Sequence, residues 1–491
     1  MHVCIVGSGA SGWLVANQLK EQDFISKVTV IGSPKIPHIG VGESTTLSFP
    51  SAQKSFNVDL KDFIKESHAA VKYGVYYQNW SQRDWIHFFK SDIPLKKSNL
   101  SARKYIQLLG NKPQNTFIHD MYGKNIWYEV VKKNLVFPDN REITEDLEEY
   151  PHTFHFDAGK YIEFLKKQAY KSPKVKFVEE TVEHINFLGE YITELYLTGD
   201  LKIKADYYVN TTGQSLNKKN IFNEQYDSLE HVLLTNKAVV FPLKYSNKRE
   251  EFHPYTVAKT MKNGWRWITP TWERIGTGYT FSNNHISEDE AINEFLEDIG
   301  DKTLNPIIVD FTPRVNKKTF KLNSCSIGMA NGFLEPLDAP GLALTNSVTL
   351  SLIKLLNIYS RDIRRDYIIH NTLYKEGLNL LNSNIKKGYK FWVTFILNQY
   401  KICHREDTQF WKDHKNVKWE EWNLAVRDLN AYCDIRKNDY DVMMLAQTIA
   451  SRDLNYYTPL PKHITPLDFP LQETLPKTQH HLDWIESFHI L

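Results

Sequence analysis

Residues 2–20 read HVCIVGSGASGWLVANQLK, and they restrict the fold more than any other stretch of the chain. Val3, Ile5 and Val6 predict a short buried strand, and Trp13, Leu14, Ala16 and Leu19 give the following helix its apolar face. Between them stand Gly7, Gly9 and Gly12 in G-x-G-x-x-G spacing. The first glycine permits a tight turn, the second lets the main chain approach a diphosphate, and the third allows close helix–strand packing. With Ala10 and Ser11 opening the helix, the diphosphate of a dinucleotide would rest on the helix N-terminus. A fortuitous glycine turn is the bland alternative, and the flanking strand and helix argue against it.

The next strand, VTVIGSP (28–34), should end in an acidic residue for the adenosine ribose, and Gly32 stands there instead. Ribose recognition is therefore expected from elsewhere. A second glycine-rich loop, HIGVGESTTLSF (38–49), offers Gly40, Val41, Gly42, Glu43, Ser44 and Thr45 to further phosphate or to the flavin edge. KIKADYYVNTTGQS (202–215) reads as an edge strand and then a buried strand entering a Gly213 turn. NSCSIGMANGFLEPLDAPGLALT (323–345) repeats the strand–glycine–helix theme and adds Gly328 and Leu337. Separated nucleotide-proximal segments of this kind point to FAD in a large flavoprotein rather than to a compact NAD domain.

The expected fold is α/β and two-lobed, of the flavoprotein monooxygenase type, with a Rossmann-like FAD-binding domain. That domain is expected to be discontinuous, from residues 1–60, 151–215 and 311–375. Residues 61–150 and 216–310 form the expected substrate lobe with its β-sheet, and 376–491 a helical C-terminal region. Helical spacing in SVTLSLIKLLNIY and YKFWVTFILNQY supports the last expectation.

A formal net charge of +2 gives no basic face for nucleic acid. The four cysteines, Cys4, Cys325, Cys403 and Cys433, have no metal-ligand spacing and read as reduced thiols. The chain enters a strand at once, without the pattern of a signal peptide, and no uncharged apolar stretch reaches membrane-spanning length. A cytoplasmic protein without a membrane partner is expected, and the sequence leaves room for a homo-oligomer. No metal site is expected.

One further stretch carries no obvious catalytic side chain: GWRWITP (264–270), with Trp265 and Trp267 one residue apart. Alone it would read as core packing, since large aromatics dominate cores. Together with the Gly7–Gly12 turn it resembles the flavin-dependent halogenases of the tryptophan-halogenase type, whose hallmarks are that turn and a W-x-W-x-I-P stretch. Thr269 replaces the usual isoleucine. The GVGEST loop, KYGVYYQNW (72–80), FHFDAGKYIEFL (154–165), GTGYTFSNNHISEDEA (276–291) and HREDTQFW (404–411) agree with the same family in order.

The resemblance implies an enzyme in which reduced FAD and dioxygen oxidise halide to hypohalous acid. The acid then travels past a barrier formed by Trp265 and Trp267 to an aromatic substrate. It implies a separate flavin reductase as the source of reduced FAD. Lys72 occupies the position of the family's active lysine. Its place on an apolar alternating strand suits an inward, desolvated amine, whereas an exposed lysine would only protect a sheet edge.

The family's glutamate stretch, E-P-L-E-S-T-G, reads Glu335-Pro336-Leu337-Asp338-Ala339-Pro340-Gly341 here, so Asp338 is the implied second catalytic group, one methylene shorter. The family's halide donors fall at Pro340 and Gly341. Proline has no N–H, and the expectation is a preference for bromide or iodide over chloride. The electrophilic chemistry calls for an electron-rich arene, an indole or a phenol. His87 is a candidate substrate contact, with a core histidine as the plainer reading. Two alternatives stay open: a monooxygenase that hydroxylates directly, and a flavin-binding protein that has lost catalysis.

Overall fold

The computed structural model describes residues 1–36, 43–80, 84–88, 131, 133–136, 152–214, 220–360, 365–418, 421–422 and 479–490. Two compact units emerge, each from three chain segments. The first takes Met1–Ala69, Phe156–Asn236 and Asp310–Tyr389; the second takes Ala70–His155, Lys237–Val309 and Lys390–Leu491.

The first unit is built on a five-stranded parallel sheet in the order Ser324–Ser326, Tyr207–Asn210, His2–Val6, Lys27–Ile31, Val175–Val178. The chain starts in the middle, steps to one edge, then returns to the other side of the first strand. That reversal is the switch point at which doubly wound sheets bind nucleotides. His2–Val6 and Tyr207–Asn210 are buried almost throughout, as parallel strands covered on both faces must be. The helix Ala10–Lys20 packs on the helix Ala158–Ala169, where Asn17 donates to the Leu165 carbonyl at 2.8 Å. Asp157 caps the latter helix by accepting from the Lys160 N–H. An antiparallel meander, Val182–Leu188, Tyr191–Leu197 and Lys202–Ile203, packs Ile185, Ile192 and Leu195 against Cys4 and Tyr208 of the sheet.

The helix Pro340–Tyr359 is long and apolar enough, by length and composition, to cross a membrane, and it meets that measure with Lys354 included. It buries Leu352 and Leu356, and its Asn346 accepts from Gln18 of the first helix at 2.8 Å.

The second unit is built on a seven-stranded sheet in the order Ile307–Asp310, Lys237–Leu243, Ile275–Phe281, Gly264–Pro270, Thr256–Met261, Gly74–Gln78, Trp85–Phe88. Thr256–Met261 runs parallel to Gly74–Gln78, and antiparallel to Gly264–Pro270. The helix Glu288–Ile299, opened by a Ser287–Glu290 capping box, lays Ala291 and Phe295 against Val239, Tyr279 and Phe281. Helices at Thr372–Ile402, Gln409–Asn416 and His481–Ile490 account for the described helical structure beyond residue 371. Cys4, Cys325 and Cys403 are free and buried.

Candidate functional site

In the first unit the glycine turn forms a cradle that side chains would fill. Gly7 has φ +121°, and a Cβ there would lie 2.4 Å from the Thr211 carbonyl oxygen. A Cβ on Gly12 would lie 2.0 Å from the Gly7 carbonyl oxygen. Thr211 closes the turn by donating to the carbonyls of Val6 and Gly7, both at 3.0 Å. Gly9 caps the helix Ala10–Lys20 without a side-chain hydrogen bond, so the first-turn amides, Ala10 and Ser11 among them, have no carbonyl within the helix to donate to. Diphosphate fits such a cradle.

Gly32 has a packing reason. A Cβ there would come within 2.3 Å of Ser8 Oγ and 2.9 Å of the Phe177 ring. The acidic residue expected at this strand end cannot be accommodated without displacing the glycine loop itself.

Two further segments meet the same helix start. Gly328, at φ +67°, comes so close to Ser11 that a Cβ would lie 2.3 Å from its Oγ. Ser11 and Thr345 bring their hydroxyls to 3.4 Å. Between them runs the turn Glu335–Gly341. Glu335 is buried and accepts from Thr235 at 2.7 Å, while Leu337 is fully buried. Asp338 is 7% exposed, and it and Ala339 both adopt left-handed backbone, at φ +59° and +55°. Such non-glycine residues cost about 1–3 kcal/mol each, and they concentrate where a turn is over-determined by its surroundings. Ala339 then caps the helix Pro340–Tyr359, with Pro340 in the first turn, where its missing N–H costs no helix bond. Above Gly341 the space is open.

In the second unit Lys72 is 1% exposed. The structure corrects its local setting: Lys72 ends the three-residue strand Ala70–Lys72 rather than beginning the alternating strand, which starts at Gly74. The short strand pairs with Thr153–Phe156, Lys72 opposite Thr153 and Ala70 opposite His155. His155 is held well below the ordinary histidine range, first by burial, then by the charge of Lys72 and by His253 and His481; the Pro270 carbonyl opposes this weakly. Its Nε2 shares a 2.8 Å hydrogen bond with the Thr256 hydroxyl. Burial lowers His253 to about 4, and His481 to about 3. The His155 ring, whose pKa the Lys72 charge helps to lower, thus stays neutral. His155 feels both that charge and Pro270, the last residue of the tryptophan strand.

Trp265 and Trp267 lie on Gly264–Pro270, near the middle of the seven-stranded sheet. One residue apart, they project from the same face. Their ring centroids are 6.2 Å apart at 60°, and both are buried. Gly278 lies opposite Trp267, and a Cβ there would strike the indole at 2.3 Å, so the glycine makes room for the ring. On the other face Arg266 donates to Thr277 at 2.9 Å and to Asp298 at 2.7 Å, and Asp298 also accepts from Lys259.

The KYGVYYQNW and HREDTQFW stretches meet as well. Trp80 donates to the Ala258 carbonyl and packs edge-on against Trp411, and the His404 N–H donates to the Trp80 carbonyl. These are packing contacts.

Of the other expected residues, Gly40, Val41 and Gly42 lie outside the described residues, as does the side chain of Glu43. Glu43 and Ser44 form a short strand, and Thr45 is buried. His87 stands opposite Val75 on Trp85–Phe88, its side chain outside the described residues. Among the described residues no cluster of metal-ligating side chains occurs. Sequence reasoning did not single out His155, His253, His481 or Glu335. His155 stood in a quoted stretch, FHFD, but nothing local marks His481 as its neighbour.

The parallel sheet, its switch point and the phosphate cradle define a dinucleotide-binding flavoprotein fold. Residues 2–439 match the tryptophan halogenase family, and the chain belongs to it. It is 26% identical over 439 residues to a tryptophan 7-halogenase of Lentzea aerocolonigenes, covering 85% of this chain and 79% of the relative. Among solved structures, a tryptophan halogenase from Shewanella frigidimarina superposes with a TM-score of 0.78 at 20% identity, covering 100% of this chain and 93% of that one. A flavin-dependent halogenase from Xanthomonas campestris does so with a TM-score of 0.75 at 18% identity, covering 100% and 94%. At these identities the structural likeness concerns the fold.

Proposed function

We propose that this chain halogenates an electron-rich arene of the indole or phenol type, with Lys72 as the residue that delivers the halogen. The observation that carries the reading is the buried Lys72, whose charge acts on the neutral His155, a ring that also feels Pro270 at the end of the tryptophan strand. Gly7, Gly9, Ala10, Ser11 and Gly12 would hold the FAD diphosphate on main-chain N–H groups, and the 40–45 segment, Gly328 and Leu337 would hold the rest. When bound and reduced, by electrons from a separate flavin reductase, FAD supplies with dioxygen the two-electron oxidation of halide to hypohalous acid. Trp265 and Trp267 serve as the barrier between flavin and arene, so oxygen reaches the arene's side only as hypohalous acid.

Lys72 can act in two ways that balance. As an ammonium it gives its proton to the oxygen of the hypohalous acid as the arene π-electrons attack halogen and the O–X bond breaks, so that water leaves; the proton the ring carbon then loses ultimately restores the ammonium. As an amine it takes the halogen first, releasing water, and the N–X bond then breaks on attack by the arene. In both routes the ring carbon loses its proton, and Asp338 is the proposed acceptor. Gly341 supplies one halide N–H and Pro340 none, which penalises chloride, the most strongly hydrated of the usable halides. The enzyme should therefore favour bromide or iodide.

The test is a panel of indoles and phenols with a flavin reductase, run separately with chloride, bromide and iodide and read by mass spectrometry. Lys72→Ala should bind FAD and consume oxygen as before while losing halogenated product by at least a hundredfold. Normal halogenation by that variant removes the assignment. Hydroxylated product without any halide requirement removes the halogenase reading altogether.

A further inference from the structure

Lys72 sits on an edge strand of only three residues, paired on one side with Thr153–Phe156. Successive N–H groups of a strand point to opposite sides, so the other edge must be satisfied by something else. At Tyr73 the N–H donates to the Pro254 carbonyl at 2.8 Å. At Val71 the N–H donates to a side chain, His481 Nε2, at 3.0 Å, from a residue 410 positions away in the chain. Lys72 is thus clamped between two neighbours whose main chains are each held from that edge.

The imidazole is well specified. Because Nε2 accepts, the proton resides on Nδ1, which donates to the Phe252 carbonyl at 3.1 Å. The ring stacks on Phe252, with centroids 4.4 Å apart at 16°. His481 is fully buried, and its low pKa keeps Nε2 an acceptor. Its own N–H donates to the Asn134 carbonyl at 2.7 Å. His481 opens the helix His481–Ile490, which docks through a bidentate Arg249–Asp483 pair and a Trp272–His489 stack at 4.2 Å. Phe252 and Pro254, from one short segment, supply the other half of the clamp.

We propose that His481 is a positioning residue for halogen delivery: the C-terminal helix brings its neutral imidazole to the Val71 N–H, and this fixes the Lys72 main chain and the direction of its amine. The inference rests on the reading of Lys72 as the halogen-delivering residue. It assigns the last helix of the chain to the reaction apparatus.

The experiment uses two substitutions that divide the two hydrogen bonds. His481→Gln keeps an acceptor near the Nε2 position; His481→Asn keeps a donor near Nδ1 but does not reach Val71. Full-length wild type, H481Q, H481N and K72A are compared for halogenated arene, for hypohalous acid caught by a small diketone trap, and for FAD affinity. H481N should lose about tenfold in kcat for product with KM for the arene little changed, release more trapped hypohalous acid, and bind FAD within twofold of wild type. H481Q should stay within threefold on every measure.

Amide exchange supplies a reading independent of activity. The Val71 N–H of the wild type should exchange slowly despite its edge position, and at least tenfold faster in H481N than in H481Q. Equal losses in H481N and H481Q, unchanged product in H481N, or a Val71 amide in the wild type that exchanges like an exposed one would each overturn the proposal. Normal halogenation by K72A would instead overturn the reading beneath it.

Discussion

The first unit works with main-chain atoms and the second with buried side chains. Around the nucleotide cradle, a Cβ added to Gly7, Gly12, Gly32 or Gly328 would lie between 2.0 and 2.4 Å from a neighbour, so each glycine packs directly against backbone or a side chain on its Cβ side. The second unit buries Lys72, pairs the buried Arg266 with Asp298, and encloses His155, His253, His414 and His481. A cradle of amides has no titrating group and tolerates almost no added volume. A site of buried imidazoles and an amine tolerates solvent poorly and feels pH. The two units should therefore fail under different insults.

Acid should give the largest effect. Each of the four histidines has its folded pKa pulled below the ordinary 6.5, by burial first in every case. In the unfolded chain they bind protons as pH falls through 6.5; in the folded chain they do not. Stability is thus fully present above about pH 6.5 and is lost as pH falls toward the folded values, about 4 for His253 and about 3 for His481. Each contributes about 1.4 kcal/mol per pH unit between its folded and unfolded pKa, so four together give at most about 5.5 kcal/mol per unit. In the first unit His2 is the described histidine whose pKa is lowered, and it is half-buried. Hydrogen exchange at pH 5 against pH 7 should show protection lost first in 237–309 and 390–418, with the parallel sheet retained. Simultaneous loss in both units would erase the contrast.

Volume should reverse the pattern. Gly12→Ala places a methyl 2.0 Å from a backbone oxygen that cannot swing aside, since Gly7 is itself held by its N–H bond to the Ile31 carbonyl. The helix must move off the strand, taking the Ala10 and Ser11 amides with it. FAD affinity, followed by flavin fluorescence, should fall about a hundredfold, while exchange protection in the tryptophan strand stays as in the wild type. Affinity within threefold of wild type would mean that the cradle is not where the diphosphate binds.

The same contrast decides what the sequence could reveal. Gly7, Gly9 and Gly12 were legible because main-chain geometry permits so few residues there, and the flanking strand and helix sit where their apolar pattern put them. Gly32 was legible as a departure, but its reason, Ser8 and Phe177 pressing on the strand end, exists only in three dimensions. For Lys72, alternation suggested an inward side chain, yet the strand breaks at Tyr73, and no periodicity predicts that. The histidine surroundings were not legible at all. His481 reaches Val71 across 410 residues, and an imidazole buried by tertiary contacts looks, in sequence, like any other histidine. The Trp pair was visible, but the space for it comes from Gly278 on another strand.

Pro340 belongs to the first unit's logic, because what it changes is a single main-chain donor. The turn before it is already committed: Asp338 and Ala339 hold left-handed backbone, with Ala339 as the cap of the helix that follows. Pro340→Thr should therefore keep the turn, lose a little stability from the freer unfolded chain, and restore one N–H beside that of Gly341. A hydrogen bond to an anion contributes about 1.5–3 kcal/mol, and only the part that differs between halides alters selectivity. About 1 kcal/mol of that difference would shift the chloride-to-bromide product ratio roughly fivefold toward chloride. The measurement is a direct competition at equal halide concentrations, with Lys72 and the rest of the second unit unchanged. If the ratio does not move, halide choice does not depend on this N–H. If total product falls for both halides alike, the turn has shifted Asp338, and the site's main-chain and side-chain parts are less separable than the two units suggest.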